Sequence, residues 1–425
     1  MTADPRVGAA VADAHRREWA FVLAATVRVT GDLDLAEECV QDAYAKALTA
    51  WATNGVPRSP GGWLTTTARR RALDLRRRQA TATRSLPLLL VSDIDTDADP
   101  GAQVGAASAV EPDEADITDD RLRLMFMCCH PTLARDAQVA LTLRLLCGLS
   151  TPEVAHAFLI SESTMAARIT RAKKKITAAR IPYRLPPHGE LSARVQAVCE
   201  VVHLLFTNGH SAPAGTALVR RDLVERARDL ARMLHTLLPD DPDATGLLAL
   251  VLLTDARSHA RLDHHGQQVL LPDQDRRQWD RSAIDEGVAL VRDALRRHPP
   301  GRFALMAAIS AVHDEAPSWT DTDWTEILGL YDLLIALWPS PVVALNRAVA
   351  LGFAHGPAAG LDALDPLTTE PQLAGYGYLP AARGDFLRQL GRTHEARTAY
   401  REALMLTENL AEREHLARRL HGLDG

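Results

Sequence analysis

The chain has 425 residues, of which 47% are hydrophobic and 24% charged, as in an ordinary globular protein. At roughly 100–200 residues per domain, this length predicts two to four domains. Because only 5% of the residues are aromatic, Ala, Leu and Val must fill the cores, which favours an all-α fold. No uninterrupted apolar run of about 18 residues occurs, so we expect no membrane-spanning helix.

The ends and the cysteines give further expectations. Residues 1–11 contain Asp4 and Arg6 and no apolar run, so we expect no secretory signal. Five scattered cysteines are too few for a disulfide framework, which predicts reduced thiols and a cytoplasmic location. The 128–130 cluster, Cys-Cys-His, lacks a second ligand pair nearby, so we expect no metal and no cofactor. No P-loop or nucleophile elbow occurs, and an enzyme is not indicated.

Charge is segregated along the chain. Residues 1–84 contain 13 basic and 9 acidic residues, and residues 121–184 contain 11 basic and 3 acidic residues. Between them, residues 85–120 contain 10 acidic residues and no basic one. The remainder has 24 basic and 32 acidic residues. Two basic blocks predict that the chain binds a polyanion through two contact zones, although solvated helix faces give the same pattern.

Composition also predicts the domain boundaries. Residues 85–120 lack aromatics and periodicity and are expected to form a flexible acidic linker. Prolines at 182, 186 and 187 should end a helix. We therefore divide the chain into residues 1–84, 85–120, 121–184 and 185–425.

The first basic block begins with an amphipathic helix after Thr30-Gly31-Asp32. Its apolar face recurs at spacings of four and three residues. Polar side chains fall off that face and predict an exposed acidic stripe near the helix N-terminus, where the helix dipole favours acids on its own account. The apolar residues are Ala36, Val40, Ala43, Ala47 and Trp51, and the stripe consists of Glu37, Glu38, Gln41 and Asp42.

An arginine-rich helix follows. A seam of Leu64, Ala68, Ala72 and Leu75 should be buried, while arginine guanidinium groups around it suit phosphate and base contacts. Trp63 would either line a pocket for an unstacked base or belong to the core. The arginines are Arg69, Arg70, Arg71, Arg76, Arg77 and Arg78.

The second basic block has the pattern of a helix-turn-helix. Ser150 to Glu153 form a capping box, and Ser161 should cap a second helix from Glu162 to about Ala178. That helix should bury Met165, Ile169, Ala172 and Ile176. Its opposite face suits major-groove and phosphate contacts, and an ordinary helical hairpin is the alternative. The candidate DNA contacts are Ser161, Ser163, Thr164, Arg168, Arg171, Lys174 and Lys175.

Together these blocks resemble bacterial RNA polymerase sigma factors of the extracytoplasmic-function (ECF) type. Residues 34–44 are similar to conserved region 2, residues 63–78 to the segment that melts and reads the −10 element, and residues 149–176 to region 4, which reads the −35 element. The resemblance covers residues 10–80 and 118–180. It departs in the turn before the recognition helix, where many such turns have a glycine and this chain has Phe-Leu-Ile at residues 158–160. It also departs in length, because a minimal factor of this type would end near residue 185.

The resemblance implies partners and site residues. Core RNA polymerase would be bound by region 2 through the clamp of its β′ subunit, and by region 4 through the β flap. Promoter DNA would be the second partner. The polymerase-binding side chains implied are Asp34, Glu37, Glu38, Gln41 and Asp42.

The C-terminal residues 185–425 predict helices throughout. Ile327, Leu361 and Ala396 are spaced by about one tetratricopeptide (TPR) repeat, and residues 384–403 match a TPR hairpin. Stacked hairpins expose a surface suited to a protein or peptide partner. The architecture resembles an ECF subgroup with a TPR-like extension, which in that subgroup influences activity. A generic helical domain is the alternative. Residues 206–211, Phe-Thr-Asn-Gly-His-Ser, resemble a recurring element of that extension.

The favoured hypothesis is an alternative sigma factor modulated by its C-terminal helices. The alternative is a helix-turn-helix regulator with a TPR-like sensor domain that binds DNA without polymerase.

Overall fold

The computed structural model describes residues 5–85, 114–158, 160–212, 214–215, 218–264, 267–297 and 299–423. These residues form α-helices joined by turns and one pair of two-residue strands, which confirms the all-α fold class. Within these ranges, no helix is both long and apolar enough to span a bilayer. The chain divides into two compact units, residues 1–198 and 199–425.

The first unit begins with three packed helices, α1 (Pro5–Thr30), α2 (Leu33–Asn54) and α3 (Pro60–Ser85). Asp32 caps α2 by accepting a hydrogen bond from the Leu35 amide at 2.8 Å. Gly31, with φ of 68°, makes the preceding turn that a side chain would disfavour. The predicted apolar face of α2 is buried, and so is the α3 seam except for half-buried Leu75.

Helix α4 (Glu114–Cys128) begins inside the predicted linker, so residues 114–120 are helical. Residues 86–113, the rest of that linker, lie outside the described residues. Acidic residues in the first turns of α4 give this stretch the composition expected of a flexible linker, which is why the helix was not predicted there. One of them, Asp120, is fully buried and forms ion pairs with Arg123 at 2.7 Å and Arg28 at 3.3 Å.

The predicted helix-turn-helix is present in the first unit. Helix α5 (Arg135–Leu141) continues as a π-helical turn over Thr142–Leu146, followed by α6 (Thr151–Ala157) and α7 (Glu162–Ala178). The capping box forms, because the Ser150 amide donates to Glu153 Oε2 at 2.7 Å. Ser161 caps α7 by accepting from the Thr164 amide at 3.2 Å. The four predicted core residues of α7 are buried.

The second unit is a succession of helices. Helix α8 (His188–His210) crosses the division between the units in sequence. Two short strands, β1 (Ala214–Gly215) and β2 (Glu408–Asn409), pair in parallel. Single 3-10 turns lie at Ser258–Ala260, Leu271–Asp273, Arg276–Gln278, Asp365–Thr369 and Pro371–Leu373. The remaining helices are α9 (Arg221–Leu237), α10 (Pro242–Ala256), α11 (Arg281–Arg296), α12 (Arg302–Glu315), α13 (Trp324–Leu337), α14 (Pro341–His355), α15 (Pro357–Leu364), α16 (Tyr378–Gln389), α17 (Thr393–Leu406) and α18 (Leu410–His421).

Consecutive helices of the second unit pack as hairpins with the predicted period. Ile327, Leu361 and Ala396 lie on α13, α15 and α17, every second helix, and all three are buried. In the α16–α17 hairpin, a Cβ on Gly384 would lie 2.9 Å from the Tyr400 ring, so glycine permits the close helix contact. Gly391, with φ of 75°, makes the turn between these helices. The hairpins are those that TPR-like spacing predicts.

The segment at residues 206–211 has a packing role. A Cβ on Gly209 would lie 2.8 Å from the Val224 amide nitrogen, so this glycine lets α8 and α9 approach closely. Phe206 stacks on His210 with ring centroids 5.4 Å apart, and Arg261 donates to the His210 carbonyl. Burial and nearby Arg261 lower the pKa of His210 well below its ordinary value, so its ring is neutral.

Candidate nucleic-acid and polymerase interface

The predicted acidic stripe on α2 is only partly exposed. Asp34, Glu38 and Gln41 are exposed, while Asp42 forms an ion pair with Arg71 at 2.9 Å. For Glu37 the expectation of an exposed side chain is wrong, because the residue is only 5% exposed. Side chains from the helix-turn-helix cover it, and no local periodicity of α2 could show them.

Glu37 lies in an ion cluster that joins α2 to the helix-turn-helix. Arg144, from the π-helical turn, reaches Glu37 Oε1 at 2.9 Å. Lys173, from α7, donates to Glu37 Oε2 and, at 2.6 Å, to Asp34 Oδ1. We call Asp34, Glu37, Arg144 and Lys173 the α2–α7 ion cluster. Burial opposes the charged ammonium, yet Glu37 and Asp34 raise the pKa of Lys173 above its ordinary value.

The arginines of α3 have different surroundings. Arg70, Arg77 and Arg78 are exposed, whereas Arg69 is half-buried. Arg71 is held by Asp42, and exposed Arg76 donates to the Val29 carbonyl at 2.7 Å. These two arginines therefore also tie the first three helices together.

Trp63 is half-buried at the start of α3. Its ring meets buried Trp51 edge-on, with centroids 5.7 Å apart. One part of the Trp63 side chain therefore belongs to the core and another is accessible, so both sequence-based interpretations of this residue describe part of it.

Helix α7 presents most of its predicted contact residues to solvent. Ser163, Thr164, Arg171, Lys174 and Lys175 are exposed. Ser161 is exposed too, but its hydroxyl is used as the helix cap and lies 2.8 Å from Thr164 Oγ1.

Arg168 has internal partners. It forms an ion pair with Asp136 at 3.4 Å, and its guanidinium carbon lies 5.3 Å from the centre of the Phe158 ring. Both contacts hold α7 against the preceding helices, so Arg168 has a packing role in addition to any DNA contact.

Lys173, Arg144 and Trp19 are not among the functional residues that the sequence predicts. Lys173 stands in a basic run, and only its position two residues after Arg171 and one before Lys174 puts it on another side of α7. Nothing local to Arg144 indicates a partner, because Glu37 lies in a helix far earlier in the chain.

Comparison with known proteins gives matches to both basic blocks. Family models match as Sigma-70 region 2 over residues 15–81, Sigma-70 region 4 over residues 123–176, and a family of unknown function, DUF6596, over residues 194–295.

Relatives cover different shares of the chain. "Uncharacterized protein R00370" of Rhizobium meliloti (strain 1021) is 42% identical over 401 residues, which are 94% of this chain and 93% of that protein. "Probable ECF RNA polymerase sigma factor SigI" of Mycobacterium tuberculosis is 28% identical over 177 residues, 42% of this chain and 58% of that protein. The crystal structure of yeast Tom70 aligns with a TM-score of 0.38 at 13% identity, covering 92% of this chain and 80% of that one.

A three-helix region 2 followed by a helix-turn-helix region 4 defines the sigma-70 class of transcription factors. The chain belongs to the extracytoplasmic-function type of these sigma factors and carries a C-terminal extension. It is an alternative sigma factor for transcription initiation, with core RNA polymerase and promoter DNA as its partners. The sigma factors are not a family of enzymes.

Proposed function

We propose that this sigma factor contacts the clamp of the polymerase β′ subunit through the exposed side of α2. Asp34, Glu38 and Gln41 are spaced by four and three residues, so they lie along one helix face. An acidic face of this kind suits a basic partner surface. Glu37 would join this contact only after giving up Arg144 and Lys173, and Asp42 only after giving up Arg71. Asp34 is exposed but also pairs with Lys173.

Promoter DNA would be contacted by α3 and α7. On α3 the exposed Arg70, Arg77 and Arg78 suit phosphate contacts, with Trp63 beside them for a base. On α7, Ser163 and Thr164 lie in the first turn, where a recognition helix meets base edges. Arg171, Lys174 and Lys175 follow on the exposed side and suit phosphates. The β flap would hold region 4 in place.

The capped and internally packed helix α7 is the observation that carries this proposal. Its buried face is fixed by Met165, Ile169, Ala172 and Ile176, and its cap is formed. A helix held in this way presents its polar side chains without further ordering, which favours binding.

The proposal is tested by charge reversal on α2 in the full-length protein. Glu38→Lys should weaken binding to core RNA polymerase of the same bacterium by about tenfold or more, because like charges then face each other. Binding is measured by fluorescence anisotropy of the labelled sigma factor. Glu225→Lys, the same charge reversal at an exposed position on α9, is the matched control and should bind normally. Unchanged binding by Glu38→Lys would contradict the proposed docking face.

The C-terminal helices would modulate this activity by binding a protein or peptide. Support comes from hairpins with large apolar side chains at the surface, including Leu333, Leu337 and Phe353, of which Leu333 is 57% exposed. Exposed apolar side chains on stacked helical hairpins are typical of protein-binding surfaces.

A further inference from the structure

The α2–α7 ion cluster is one part of a broad contact within residues 1–198. Besides the cluster, the Trp19 indole N–H donates to the Leu145 carbonyl at 3.0 Å in a buried site. The Tyr183 hydroxyl lies 2.8 Å from the Ala24 carbonyl and 2.9 Å from that of Asp120. Region 2 and region 4 are therefore joined by these hydrogen bonds as well as by the ion cluster.

Close packing accompanies these hydrogen bonds. A Cβ on Gly148 would lie 2.9 Å from both His15 and Trp19, so the turn before α6 fits against α1 without space for a side chain. Gly148 also has φ of 70°. A turn that needs glycine for two separate reasons is built for this contact.

The cluster occupies a side chain that the proposed docking face would use. Glu37 is 5% exposed because Arg144 and Lys173 cover it, and Asp34, although exposed, also pairs with Lys173. A buried carboxylate that is ion-paired with two internal cations is not available to a basic surface of a partner while those pairs persist. Binding of Glu37 to such a surface and pairing within the cluster exclude each other.

We infer that Lys173 and Arg144 act as a latch that holds region 2 against region 4 and withholds Glu37 from core RNA polymerase until the latch opens. This inference rests on the proposed function, because it concerns regulation of the same α2 face. Two states that compete for one carboxylate are linked, so whatever breaks the cluster raises the affinity for core enzyme.

The latch also couples the two DNA-binding parts. Lys173 lies on α7 between Arg171 and Lys174, which are exposed and available for DNA. Release of Lys173 from Glu37 would free α7 from α2 at the moment when core enzyme takes Glu37. Binding to core enzyme and release of α7 for DNA binding would then occur together.

The test compares charge variants of Lys173 in the full-length protein. Lys173→Glu places three carboxylates together and should open the latch, whereas Lys173→Arg retains the cation and should keep it closed. The matched control is Arg180→Glu, which makes the same reversal at an exposed position just after α7. Circular dichroism confirms that each variant folds, and Lys173→Gln replaces Lys173→Glu if the latter does not.

Spin labels report the latch without polymerase. Ala52 and Ala179 are exposed in region 2 and region 4, and the five native cysteines are buried, so Ala52→Cys and Ala179→Cys can be labelled selectively. Double electron–electron resonance between the two labels should give a narrow distance distribution for the parent, Lys173→Arg and Arg180→Glu proteins. Lys173→Glu should give a broad one, and a narrow distribution in that variant would overturn the inference.

Affinity for core enzyme is the second readout. If the closed state holds about nine tenths of the molecules, opening should strengthen core binding by about tenfold. A broad distance distribution without stronger binding, while Glu38→Lys still weakens binding, would overturn the inference and leave the proposed docking face standing. Stronger binding by Lys173→Glu with no effect of Glu38→Lys would instead contradict the contact proposed for Glu38, while the control of core binding by Lys173 would stand.

Discussion

Three half-buried histidines in the second unit make its stability depend on pH. Burial, with nearby arginines, lowers the pKa of His203 to about 4, that of His313 to about 3, and that of His210 well below its ordinary value. In the unfolded chain each ring would take up a proton near pH 6.5. The neutral rings therefore contribute stability that is complete above pH 6.5 and is lost as the pH falls toward the folded values.

We predict that the second unit loses thermal stability between pH 7.5 and pH 5.5. The loss should be about 1.4 kcal/mol per histidine for each pH unit below 6.5. Asp314 and Asp243 oppose it, because burial raises the pKa of both carboxyl groups, that of Asp314 to about 6, and their protonation then stabilises the fold. They are two groups against three. Calorimetry of the full chain measures the effect. His203→Gln should reduce the pH slope and His394→Gln, at an exposed position, should not; equal slopes would refute this account.

For single residues, the sequence predicted which side chains form the acidic stripe better than it predicted their burial and their partners. Glu38 and Gln41 are exposed as expected, but Glu37, between them and the core face, is buried. The difference arises from Lys173, which lies 136 residues further along the chain. Helical periodicity describes one helix at a time and contains no information about such a partner.

Among the elements, α8 and α9 pack around a glycine. We predict that Gly209→Ala destabilises the second unit by about 1–3 kcal/mol, because the added methyl would lie 2.8 Å from the backbone of Val224 and the helices must separate. Gly189→Ala, in the first turn of the same helix, has no atom within 4 Å of the new methyl and is the matched control. Thermal unfolding followed by circular dichroism distinguishes them. Equal melting temperatures would contradict the packing role of Gly209.

Elements were predicted well where their signals are local. Helix α7 has the bounds that the Ser161 cap and the apolar spacing predict. Helix α4 was partly missed, because its first residues are acidic and resemble a linker, while the burial of Asp120 depends on Arg28 and Arg123. Caps and periodicity depend on residues close together in the sequence, whereas ion pairs between helices depend on residues far apart in it.

At the scale of the whole molecule, the first unit extends beyond the basic blocks. The predicted boundary lies after Arg184, yet the compact first unit reaches Val198. Arg194, in α8, donates a hydrogen bond to the Phe126 carbonyl near the end of α4. Its guanidinium carbon lies 6.0 Å from the centre of the Phe126 ring. The start of the C-terminal extension therefore supports region 4 directly.

This arrangement leads to a prediction for two truncations. Fragments 1–184 and 1–198 should both bind core RNA polymerase, because each retains α2 and α7. The longer fragment should be more stable, since it keeps Arg194 against Phe126, and Arg194→Ala in it should remove that advantage. Thermal unfolding and anisotropy measure stability and binding separately. If neither fragment binds core enzyme while the full chain does, the C-terminal helices are themselves part of the docking surface and do not merely modulate it.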